Sequence, residues 1–134
     1  MEKASVYKEA EKQALIYKWL ASERAGRDLG DFAMECWVRD HWWRFLRAKW
    51  VEHLQGTVYW NELDRNDFGL LKRVFLDKPE LLDRILDMIK QGRENLDILC
   101  WARESSLPMA DVIHILERLD INSRRLCCEF AKPA

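Results

Sequence analysis

Apolar residues recur every three to four positions along most of this chain, and nowhere do they alternate over the length of a strand. From Lys3 to about Ala25, the residues Tyr7, Ala10, Ala14, Tyr17 and Ala21 form one stripe, flanked by Val6, Trp19 and Leu20 on a surface otherwise rich in Lys and Glu. That is the pattern of an amphipathic helix. Gly26 and Gly30 break it, and Asp28 or Asp31 stands where the next helix needs a cap.

The second helix is predicted over about Leu29 to Leu54, stopping at Gly56. Placed on a helical wheel, Leu29, Phe32, Ala33, Cys36, Trp43, Leu46, Trp50 and Leu54 share one broad face, and Met34, Val38, Trp42 and Phe45 form a narrower strip nearly opposite. A helix apolar on two sides is either central in its own fold or lends one side to a partner.

Beyond Gly56 the segments shorten. Val58, Tyr59, Trp60 and Leu63 predict a short helix, and Phe68, Leu70, Leu71, Val74 and Phe75 another turn or two starting near Asp67. Asp77-Lys78-Pro79-Glu80 is a helix start, with Pro in the first turn; the helix carries Leu82, Ile85, Leu86 and Ile89 and stops at Gly92. Leu96, Leu99, Cys100 and Trp101 mark a further helix up to Ser105-Ser106, and Pro108 opens one with Val112, Ile115, Leu116 and Leu119. Asn122 or Ser123 is expected to cap a last helix through Phe130. The expectation is an all-α fold: a long helical hairpin over about residues 3–55 packed on several shorter helices, in one domain spanning 1–134.

Composition agrees with this reading. Five Gly and three Pro in 134 residues leave little punctuation for strands and turns, whereas seven Trp supply unusually large apolar side chains. Lys+Arg is 22 and Asp+Glu 23, a net charge of −1, which argues against a strongly basic polyanion binder. No apolar run is long enough for a membrane span, and the charged N-terminal stretch lacks a signal-peptide core, so the expected location is the cytoplasm. Cys36, Cys100, Cys127 and Cys128 form no C-x-x-C and read as reduced, buried thiols.

Candidate chemistry is sparse. Asp40, Arg44 and Arg47 interrupt the apolar surface of the second helix, and such charges are expected to pair in an ion network between helices or to meet an acidic partner. His41, Glu52 and His53 lie close along the same helix, but neither Glu-x-x-His nor H-E-x-x-H occurs, and three His in the chain give no metal signature. No nucleophile elbow, phosphate loop or dinucleotide fingerprint is present, so neither an enzyme nor a cofactor is expected.

Two surfaces remain. Residues 99–119 resemble a helix-turn-helix, with the small Ala102 at the crossing, although Ser106 replaces the usual turn Gly and Asp111 and Glu117 are acidic; Arg118, Arg124 and Arg125 are its candidate contacts to nucleic acid. The strip on the second helix is the preferred surface. There Trp42 and Phe45 supply apolar anchors, Met34 and Val38 extend them, and Arg39, His41 and Lys49 make a polar rim. The expected function is a non-catalytic interaction or adaptor module binding a protein partner, or itself, through this strip, with nucleic-acid binding over about residues 95–125 as the alternative.

Overall fold

Ser5 starts the first helix: its hydroxyl accepts the Lys8 amide, and α1 runs Val6–Ala25 until Gly26, at a φ of 69°, closes it. In the computed structural model, which describes residues 4–128, α1 turns back through a short loop onto α2, Asp31–Gln55. Neither Asp28 nor Asp31 caps α2. Asp28 instead accepts the Gly30 amide at 2.9 Å within the loop, and Gly30 occupies the cap position without a side-chain bond. The expected helical hairpin is present, with Val6, Ala10 and Ala14 of α1 fully buried against it. These side chains are small, which lets the two helices approach closely.

Four shorter helices follow: α3 Leu70–Val74, α4 Pro79–Lys90, α5 Asn95–Glu104 and α6 Met109–Leu119. The fold is all-α. No strand occurs among the described residues, only an isolated parallel bridge between Ala4 and Trp60. Here α2 is the central helix: α1, α3 and α4 all pack on it, while α5 pairs with α6. Buried side chains of all six helices join in one apolar cluster.

Three expectations need correcting. The Val58–Leu63 stretch is not a helix; the chain passes through turns held by Ala4, whose amide donates to the Tyr59 carbonyl and whose carbonyl accepts the Asn61 amide. Glu62 explains why that strap sits there. Its carboxylate accepts the Ser5 hydroxyl and the Val6 amide, each at 2.6 Å, placing negative charge at the N-terminus of α1. After a 3-10 turn at Ile121–Ser123 the chain up to residue 128 is irregular rather than helical, and Phe130 lies outside the described residues. Phe32, expected on the core face, is 64% exposed, because beyond Ala33 the buried side chains of α2 begin only at Trp37.

His53 and two glycines lock α2 to α3. The backbones of Gly56 and Gly69 meet so closely that a Cβ on Gly56 would lie 3.2 Å from the Gly69 Cα, and the Gly69 amide donates to the His53 carbonyl at 2.8 Å. The His53 ring is fully buried. Its Nδ1 accepts the Trp60 amide at 3.2 Å while Nε2 lies 2.7 Å from the Asp64 carbonyl, so the ring is the neutral tautomer with the proton on Nε2. Trp50, Tyr59 and Phe68 present their rings around it.

Candidate functional site

The strip on α2 is only partly a surface. Trp42 is 8% exposed: Tyr7 of α1 stacks on its ring at 6.2 Å, and its indole N–H donates to the Leu126 carbonyl at 2.8 Å. The second face of α2 is therefore covered largely from within the chain, by α1 and by the segment after α6. Met34 and Val38 are half-buried against the core. Trp42 is an internal anchor.

What remains open is a groove between α1 and the middle of α2, reaching the end of α4. Ile16 and Tyr17 come from α1; Trp37, His41, Arg44, Phe45, Ala48 and Lys49 come from α2; Lys90 comes from α4, and Gln13 closes the rim. Its walls are aromatic. Phe45 lies edge-on to Trp37 at 5.5 Å, and the exposed His41 ring meets Tyr17 at 5.7 Å. The spacing of 41, 44, 45, 48 and 49 keeps these side chains on one face of α2, which is why part of the site is visible in the sequence.

The rim is cationic, and no carboxylate lines the groove among the described residues. Arg44 donates to the Gln91 carbonyl at 3.0 Å and lies beside Gly92. Lys90 donates to the Gln55 side-chain amide at 3.1 Å. Both cations are thus held by neutral acceptors, and neither pairs with a carboxylate among the described residues. Lys49 differs, since it pairs with Glu52 at 3.5 Å and lies over the Phe45 and Trp60 rings. Such a groove offers an apolar side chain aromatic contacts and offers a carboxylate two uncompensated cations.

Asp40, Arg44 and Arg47 do not form one network. Asp40 takes two bonds from its neighbour Arg39, at 2.9 and 3.2 Å. That hydrogen bond, with the attraction of the guanidinium, holds the Asp40 carboxyl below the usual carboxylate range and raises Arg39 in turn. Arg47 is 4% exposed and reaches both oxygens of Glu94, at 3.3 and 3.2 Å, with Asn122 at 3.5 Å. Arg39 is exposed, paired with Asp40, and does not line the groove.

Residues 95–119 do form a helical hairpin. Ser106 takes a φ of 56° at the turn, the conformation for which glycine is the usual choice, and Ala102 of α5 is fully buried. Two outward residues of α6 are engaged within the chain: Asp111 pairs with Lys78 at 3.3 Å, whose ammonium is raised by that bond, and His114 packs edge-on against Phe75. Arg124 is committed within the fold. It donates to the Leu119 and Arg118 carbonyls, pairs with Asp67 at 2.9 Å and covers the Trp50 ring. Arg125 lies 4.3 Å over Trp43, and Arg118 is exposed.

No group of three or more His, Cys, Asp or Glu is placed to hold a metal among the described residues, and no helix there is long and apolar enough to cross a membrane. Cys100 and Cys127 are exposed, against the expectation of four buried thiols; Cys128 alone is buried and Cys36 is half-buried. No family model matches this chain, and neither a curated protein nor a solved structure matches it.

Proposed function

We propose that this chain is a non-catalytic interaction module that binds an acidic segment of a protein partner in the groove between α1 and α2. The observation that carries the reading is the combination of aromatic walls with Arg44 and Lys90, two cations without a carboxylate partner among the described residues, on a chain whose net charge is −1. Aromatic and Arg side chains are the groups that dominate binding energy at protein interfaces. Phe45 and His41 supply aromatic walls, while Arg44 and Lys90 select for Asp or Glu in the ligand.

The test is selection from a library of random 12-residue peptides displayed against the folded protein. Enrichment of sequences that place Asp or Glu beside Leu, Phe or Trp, with binding lost on Arg44→Glu together with Lys90→Glu, supports the proposal. Enrichment without acidic residues, or binding indifferent to that charge reversal, overturns it. Capture of nucleic acid from lysate, abolished by nuclease and weakened by salt, would instead shift the weight to residues 95–125.

A further inference from the structure

α1 is apolar on two opposite sides. Val6, Ala10 and Ala14 are buried against α2, whereas Leu15, Ile16, Trp19 and Leu20 point outward with 47, 47, 61 and 42% exposure. On a helix these four positions are neighbours, so they form one continuous patch rather than scattered residues. A contiguous apolar patch of this kind on a small protein marks an interaction surface. The row through its centre is Lys12, Ile16, Trp19 and Glu23, spaced four, three and four, which is the spacing of a heptad seam. A shallow groove runs beside Trp19, bordered by Leu15, Ser22 and Glu23.

We propose that a second copy of this chain packs on the outer face of α1, antiparallel, about a two-fold axis passing between Tyr17 and Lys18. The charges select this occupant and this direction. In the antiparallel register Ile16 meets Trp19 of the other copy, Trp19 meets Ile16, and Lys12 at one end of the seam meets Glu23 at the other, twice over by symmetry. Leu15 and Leu20 flank the apolar layers. A parallel pairing would oppose Lys12 to Lys12 and Glu23 to Glu23. Within the chain both side chains are exposed, and neither makes an ion pair among the described residues, so their charges are available to a neighbour. The surface is isologous, as a two-fold dimer requires. It lies mainly on the side of α1 turned away from α2 and shares Ile16 with the rim of the α1/α2 groove.

Sedimentation equilibrium on the whole chain tests this. The wild-type protein is expected to pass from 16.1 kDa towards twice that mass as concentration rises. Lys12→Glu and Glu23→Lys, each at an exposed position, should leave the thermal unfolding midpoint of the dilute monomer unchanged and weaken dimerisation by about tenfold. An equimolar mixture of the two variants should restore it, because the mixed dimer again opposes Glu to Lys at both ends. A single mass at every concentration up to the millimolar range overturns the proposal. So does a dimer indifferent to both charge reversals, or a mixture no better associated than its weaker component.

Discussion

The indole N–H of Trp42 donates to the backbone carbonyl of Leu126, 84 positions further along the chain. The bond fastens the irregular segment after α6 over the second face of α2 and removes from the surface the side chain that sequence alone offers as a binding anchor. Trp42→Ala should therefore act on stability, lowering it by about 3–5 kcal/mol through the void it leaves. Trp42→Phe, which keeps a ring against Tyr7 but loses the donor, should cost about 1–3 kcal/mol and loosen residues 124–127 selectively. Urea unfolding gives the first quantity, amide exchange the second. Full stability in Trp42→Ala would mean that the indole is not held as described.

Inside the fold, His53 serves two backbone groups with one neutral ring. His53→Leu strands the Trp60 amide and the Asp64 carbonyl and should destabilise by about 2–4 kcal/mol. Gln in the same place retains a donor and an acceptor and should cost distinctly less. Equal losses in the two variants, measured by urea unfolding with Trp fluorescence, would show that packing rather than hydrogen bonding holds this corner.

The Arg47–Glu94 pair is asymmetric, since the arginine side chain is 4% exposed and the carboxylate 59%. Removing Glu94 by Glu94→Ala leaves a buried guanidinium whose Nε already lacks a partner, and should cost about 1–3 kcal/mol. Adding Arg47→Met to that variant should recover most of the loss, because the uncompensated charge goes with it. A double variant less stable than Glu94→Ala would show that the guanidinium itself contributes packing that Met does not replace.

Asp40 gives a prediction in pH. Hydrogen bonding to Arg39 favours the ionised carboxylate and lowers the folded-state pKa of Asp40, so the small stabilisation it provides is present above the unfolded carboxylate value and lost as pH falls through the lower folded value. Both groups are at the surface, so the effect belongs in a site-specific titration rather than in global stability. The Asp40 carboxyl carbon, followed by NMR, should titrate below an ordinary Asp and move upward in Arg39→Gln. An unchanged midpoint in that variant would disprove the coupling.

Legibility in the sequence followed the range of the forces involved. Helices α1 and α2 are readable because their periodicity is long and Gly26 and Gly56 end them with left-handed caps. The stretch Val58–Leu63 is not readable, because its shape comes from Ala4 and Ser5, more than fifty residues away, rather than from local pattern. For the groove, the face of α2 carrying His41, Phe45 and Lys49 emerges from helical spacing, and Arg44 joins it. Tyr17 and Lys90 enter from other elements, which no spacing rule on α2 can supply. The covering of Trp42 was hidden for a related reason: the segment that covers it has no periodic signature, and it bonds the indole through a main-chain oxygen.

That covering also has a consequence in time. During synthesis Trp42 is made long before Leu126, and at about 5–20 residues per second the intervening 84 positions take about 4–17 s. Through that interval the acceptor of the Trp42 N–H does not yet exist, and this face of α2 cannot be completed. The covering of the central helix is thus finished only once the segment after α6 has been translated.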